Sequence, residues 1–177
     1  MKVITTKLDG VLILEPAVHG DNRGFFTESY NSNTFAANGI EYDFVQDNHS
    51  LSADSGTLRG LHYQEEPMAQ TKLVRVPIGA IYDVAVDIRG ESPTFGQWTG
   101  VILTADNHRQ LLIPKGFAHG FCTLVPNTHV MYKVDQFYSA AHDGGIAWDD
   151  PDLSIDWPTS NVILSEKDKR SQRLRDI

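Results

Sequence analysis

Three residues on separate β-rich runs, His62, Lys72 and Tyr132, are of the types that proton transfer beside a carbonyl requires. An imidazole has a reference pKa of about 6.5, so with a carboxylate partner it makes a serviceable base near neutral pH. A tyrosine on the other side of a substrate can return a proton, and a lysine ammonium can hold the negative oxygen of an enolate. Residue type alone is weak support for this chemistry. A lone histidine or tyrosine on a strand is more often a satisfied part of the core or rim. Arg59 beside Gly60 and Arg23 beside Gly24 read by themselves as solvated charges.

The same histidine could instead point to a metal. Two histidines two apart on a strand, with further His or Glu ligands, are a common β-barrel arrangement for a metal. Here Gln64 stands where the second histidine would be, and Pro114-Lys115-Gly116-Phe117-Ala118-His119 adds only one more. That set falls short of the three protein ligands usual at a catalytic metal. The expectation is therefore proton transfer with no metal and no cofactor.

Positioning such residues falls to short β-rich runs: Val11–Leu14, Leu61–Gln64, Leu73–Val76, Ile81–Ile88, Trp98–Leu103, Gln110–Ile113, Gly120–Val125 and Val130–Val134. Turn residues separate them, as in Pro77-Ile78-Gly79, Arg89-Gly90-Glu91-Ser92-Pro93 and Pro126-Asn127. Many short strands at this spacing predict a mainly β sandwich or barrel. Strand alternation places Gly60, His62 and Gln64 on one face and Arg59, Leu61 and Tyr63 on the other. Lys72 shares a face with Val74 and Val76, and Tyr132 with Val130 and Val134. If those faces line the interior, His62, Lys72 and Tyr132 converge. Short helices are expected near Asn33–Asn38, ended by Gly39, and after Ser165, whose hydroxyl could cap Glu166-Lys167-Asp168.

Composition sets outer limits. A chain of 177 residues suggests one domain spanning 1–177, able to bury roughly 70% of its unfolded surface. With 41% hydrophobic and 21% charged residues it has the make-up of an ordinary globular protein. Fifteen basic against 23 acidic residues give a formal charge of −8, which argues against a general nucleic-acid binder. An anionic small molecule could still bind where a few Arg and Lys converge. Cys122 is the only cysteine, so no intrachain disulfide or Cys-based zinc site is available, and its apolar surroundings suggest a packing thiol. No stretch approaches the ~20 apolar residues of a membrane span, and Met1–Lys7 lacks the apolar core of a signal peptide. A cytoplasmic protein without a membrane partner is the expectation.

Read in order, the motifs make a pattern. They are Asp21-Asn22-Arg23-Gly24-Phe25-Phe26, Gln46-Asp47-Asn48-His49-Ser50, Leu58-Arg59-Gly60-Leu61-His62-Tyr63-Gln64 and Lys72-Leu73-Val74. Asp83-Val84-Ala85-Val86-Asp87-Ile88-Arg89, Ser92-Pro93-Thr94-Phe95-Gly96 and Pro114–Phe121 follow. Tyr132-Lys133, Trp148–Leu153 and Ser165-Glu166-Lys167-Asp168 complete the series. Together they closely resemble the dTDP-4-dehydrorhamnose 3,5-epimerase family over nearly the whole chain. The resemblance implies a cupin-type jelly roll, with a core over about 10–157 and a helical tail over about 165–177. It also implies a homodimer that exchanges N-terminal strands, and a metal-free isomerase acting on dTDP-4-dehydro-6-deoxy-D-glucose. By the same resemblance His62 is the base, oriented by Asp168; Tyr132 is the acid, and Lys72 stabilises the enolate. Arg23, Glu28, Gln46, Asp47, Asn48, Arg59, His119, Asp143 and Lys167 match positions that bind nucleotide or sugar. Tyr138 matches an aromatic that stacks near the base.

The chain departs from the family pattern after Tyr132-Lys133. Where a Thr and then Asn or Asp are usual, it has Val134-Asp135-Gln136-Phe137-Tyr138, so Asp135 puts a carboxylate where a neutral hydroxyl is expected. Rival readings are an epimerase of one carbon only, a sugar-binding cupin without chemistry, and a metal-dependent cupin oxygenase. The oxygenase is disfavoured by the absent second histidine.

Overall fold

A computed structural model describes residues 1–177. Two antiparallel sheets face each other. The first has the order β1 (Lys2–Thr5), β2 (Leu12–Glu15), β10 (Gln110–Ile113), β7 (Lys72–Ile78), β12 (Thr128–Val134), β5 (Gln46–Ser52). The second runs β13 (Asp143–Gly145), β6 (Leu58–Gln64), β11 (Phe117–Thr123), β8 (Ala80–Asp87), β9 (Trp98–Thr104). The result is the expected mainly β, cupin-like jelly roll. A separate hairpin, β3 (Val18–Asp21) with β4 (Gly24–Thr27), pairs only with itself.

Each of the eight expected runs is a strand, with ends shifted by up to three residues. The strands at Lys2–Thr5, Val18–Asp21, Gly24–Thr27, Gln46–Ser52 and Asp143–Gly145 were not foreseen. β5 is the instructive omission. Its sequence, Gln-Asp-Asn-His-Ser-Leu-Ser, has almost no apolar alternation, and it is extended because it pairs along its whole length with the more apolar β12.

Apolar side chains pack in three places. Val74, Val76, Ile81, Leu103, Phe117 and Val130 are among those that fill the space between the sheets. Beyond the first sheet, Leu73 and Leu112 pack with Phe35 of the short helix α1 (Ser32–Ala36). Beyond the second, Val84 and Val86 meet Ile146, Leu153 and Leu174 of the C-terminal part. Alternation along β7 and β8 thus serves two cores at once.

Both helix expectations need adjustment. The first helix begins at Ser32 and is capped by Asn31, whose side chain accepts from the N–H groups of Asn33 (2.9 Å) and Thr34 (3.3 Å). Gly39 follows at φ +75°, where a glycine is at home. The tail after Ser165 is not an α-helix but two 3₁₀ turns, Asp168–Arg170 and Leu174–Asp176. Its backbone is drawn back to the barrel between them: Gln172 N–H donates to Gly145 O (3.3 Å) and Gln172 O accepts from Ala147 N–H (2.7 Å). A chain anchored there cannot continue a helical ladder.

Candidate active site

One end of the barrel interior is apolar and filled; the other opens as a cavity of about 400 Å³. Both sheets supply its walls, with Ser50, Lys72 and Tyr132 on one side and Arg59, His62 and His119 on the other. The tail closes it with Ser165, Lys167 and Asp168. His62, Lys72 and Tyr132 do converge.

Arg59 was expected on the face opposite His62, yet it lines the same cavity. The cause is a bulge in β6. Phe121 pairs with Arg59 and His119 with His62, so β6 spends one residue more than β11 over that interval. Gly60 sits inside it at φ +124°, and a Cβ there would lie 2.5 Å from Gly120 Cα and 2.7 Å from His119 O. Only glycine permits this crossing of backbones. Arg59 is held by Ser52 Oγ (3.2 Å) and Leu51 O (3.1 Å).

His62 Nε2 lies 2.6 Å from Asp168 Oδ1, across 106 residues of sequence. With the Nε2–H donating to the carboxylate, Nδ1 keeps the free lone pair. Burial pushes the Asp168 carboxyl up, but the His62 and Ser165 hydrogen bonds and the charge of Lys167 outweigh it and hold the group below its usual range. His119, directly across the strand pair from His62, has its own carboxylate: Nε2 is 2.6 Å from Asp83 Oδ1. Asp83 is fully buried, and its Oδ2 has no protein donor.

Lys72 is buried with Nζ donating to His62 O at 3.2 Å. Burial lowers its pKa to about 8, partly offset by Asp143 and Asp83 and reinforced by Lys167. The Tyr132 phenol is shifted the other way. Burial raises its pKa, Arg59 lowers it and Asp143 raises it again, so it stays protonated at neutral pH. The walls thus present three cations, Arg59, Lys72 and Lys167, and one ionised acid, Asp168. This acidic chain keeps a basic pocket.

Four further expected residues form a chain of contacts reaching Lys167 on the wall. Tyr138 donates its hydroxyl to Asp143 (3.1 Å), which also binds Lys167. Tyr138 N–H reaches Gln46 Oε1 (3.3 Å), and Gln46 in turn donates to Asn48 (2.9 Å). Three expected residues are not brought to this cavity within one chain. Asp47 points to the opposite side of β5 from its neighbours and pairs with Lys133 (2.9 Å). Arg23 is exposed on the β3–β4 hairpin against Asp21, and Glu28 lies near Thr34 just past that hairpin. Gln64 is not a cavity residue. It binds Met68 O (2.6 Å), Phe137 O (3.2 Å) and Ser139 N–H (2.7 Å), securing the loop that carries Tyr138. No group of three or more His, Cys, Asp or Glu side chains is gathered to hold a metal.

Asp135 proves to be structural. Its Oδ1 accepts the Thr71 N–H at 2.6 Å and its Oδ2 lies 3.6 Å from Lys115, away from the sugar-sized space. Ser50 and Asp83 escaped the sequence reading. A lone aspartate inside Ala80-Ile81-Tyr82-Asp83-Val84-Ala85-Val86 was a signal, since a buried carboxylate on an apolar strand needs a partner.

Residues 5–176 match the family model described as dTDP-4-dehydrorhamnose 3,5-epimerase. The chain belongs to that family. A 3,5-epimerase of Shigella flexneri is 55% identical over 99% of this chain and 97% of its own length. A Bacillus anthracis 3,5-epimerase, solved with TDP and PPi bound, superimposes with a TM-score of 0.96 at 60% identity, covering 97% of this chain and 98% of that one. An enzyme of Legionella pneumophila in complex with dTDP-4-keto-L-rhamnose gives 0.95 at 48% identity, over 99% and 94% of the two chains. As a member of the 3,5-epimerase family the chain is an isomerase with the family's barrel. No helix in it is long and apolar enough to cross a membrane.

Proposed function

We propose that this protein inverts carbons 3 and 5 of dTDP-4-dehydro-6-deoxy-D-glucose, giving dTDP-4-dehydro-L-rhamnose, by proton transfer without a metal. One observation carries the reading: a carboxylate-bound imidazole, a protonated phenol and a buried amine line the same basic cavity. Both carbons flank the C4 ketone, so their hydrogens are acidic enough to be removed. His62 Nδ1 takes one proton, and the C–H electron pair forms a C=C bond as the carbonyl becomes an enolate. The Lys72 ammonium and its neighbours oppose that negative charge. The Tyr132 hydroxyl then delivers a proton to the opposite face, and exchange with solvent restores both groups. Repetition at the second carbon completes the reaction, with no net change in composition. Arg59 and Lys167 supply charge for the diphosphate, guanidinium being well matched to phosphate oxygens.

Residues 1–177 form a single epimerase domain, and two copies of it complete the sites. The β3–β4 hairpin pairs with no other strand and exposes Phe25 (62%) and Phe26 (69%) beside Arg23. Carried into a partner's cavity, it would add Arg23 and Glu28 and bury those rings. Gln46, Asn48, His119, Tyr138 and Asp143 hold the sugar or base from within the chain.

The test is deuterium incorporation from heavy water, with and without a chelator. Exchange at both carbons 3 and 5 that survives chelation is expected. Exchange at one carbon would reassign the enzyme as a single-carbon epimerase, none would make it a binding protein, and loss on chelation would end the metal-free account. Shared sites are tested by mixing Arg23→Ala with His62→Ala protein. Recovered activity is expected, because a mixed dimer then holds one intact site; no recovery overturns the sharing.

A further inference from the structure

We infer that Ser165 is a positioning residue of the reaction: its hydroxyl fixes the carboxylate that orients His62. The inference rests on the reading of His62 as the base, and it concerns a residue outside the acid–base set.

Asp168 spends both carboxylate oxygens on two different side chains. Oδ1 meets His62 Nε2 at 2.6 Å, and Oδ2 accepts the Ser165 hydroxyl proton at 2.8 Å. Ser165 Oγ also accepts the Asp168 backbone N–H at 3.1 Å, so the serine grips the aspartate at main chain and side chain together. A carboxylate held through one oxygen can still rotate about Cβ–Cγ; held through both, it cannot. Removing the hydroxyl frees that rotation and leaves an oxygen without its donor in a side chain only 4% exposed.

The placement of Ser165 explains why this task falls to it. Just before it, the tail is fixed to the barrel: Ile163 N–H donates to Gly56 O and Ile163 O accepts from Leu58 N–H, both at 2.9 Å. Just after it, the backbone turns into the 3₁₀ segment that carries Asp168 inward, with Lys169 N–H on Ser165 O (3.2 Å). Ser165 therefore joins a segment in register with β6 to the residue that must meet His62 on the same strand. Being exposed itself, it contributes no core packing.

Ser165→Ala should lower kcat between about 10- and 100-fold, in the range seen when a group supporting a functional side chain is lost. KM should stay within about twofold. The acidic limb of the pH profile should move to higher pH, since the carboxylate has lost a donor that favours its ionised form. Ser165→Thr should restore most of the rate. Wild-type kcat and an unmoved limb in Ser165→Ala overturn the inference, as does a loss that Thr fails to rescue while the melting temperature is unchanged. His62→Ala, measured alongside, separates the two levels. If that variant still exchanges deuterium, the base assignment has failed. If it is inert while Ser165→Ala is normal, only the role of Ser165 has.

Discussion

His62 and His119 are opposite each other on paired strands, and each has a carboxylate 2.6 Å from Nε2. The surroundings differ. His119 is 7% exposed and its partner Asp83 is fully enclosed on the neighbouring strand β8. His62 is 33% exposed, and its partner arrives on the tail from the other end of the sequence. A histidine–aspartate distance therefore does not specify a role. A pair locked within one sheet, its carboxylate fully buried, gives a fixed hydrogen-bonding wall. A pair open on one side can trade protons with what enters.

That contrast is sharpest for loss of the imidazoles. His62→Ala should keep nucleotide binding, measured by calorimetry with dTDP, and lose on the order of 10²–10⁴-fold in deuterium exchange. The same change at His119 should weaken sugar binding more than it abolishes exchange; equal loss of exchange at both would erase the distinction. Next comes Lys72, beside His62. Its ammonium is the form that opposes enolate charge, present below a pKa of about 8 and lost above it. Activity should therefore fall as pH rises through about 8. Lys72→Arg, weaker in rate on the order of 10-fold, should lack that alkaline limb in a pH–kcat series, because a guanidinium stays charged.

The partners separate along another axis. Asp83→Ala should lower stability by about 1–3 kcal/mol in urea unfolding, since it strands a buried His119 N–H. Asp168→Ala leaves its histidine, 33% exposed, within reach of water and should cost activity well before stability. If both changes behaved alike in unfolding, the difference in enclosure between the two histidines would not matter. The smallest effect is expected at Asp135, which serves Thr71 rather than the cavity. Asp135→Asn should leave kcat/KM within about twofold, read with the keto-sugar substrate.

Strands rich in Val, Ile and Leu were legible because alternation and turns mark them, and with them the convergence of His62, Lys72 and Tyr132. β5 was not, since its extension is imposed by β12 rather than by its own residues. Asp168 entered through resemblance of motifs; no local rule links it to a histidine 106 positions away. Asp83 was present in the sequence as a charge among apolar neighbours, but its partner lies on another strand. The 3₁₀ turns replaced a helix because long-range backbone pairing at Gln172 outweighed local capping at Ser165.

The bulge at Gly60 carries one more consequence. A strand offers a pocket every second side chain, and its neighbours are wasted on the far face. By adding a residue, β6 shifts phase in mid-strand and spends Arg59 as well as His62 on the same volume. A barrel of fixed strand number can enlarge its chemical repertoire this way without lengthening any loop, and restoring the ordinary count would exile the guanidinium while leaving the imidazole in place.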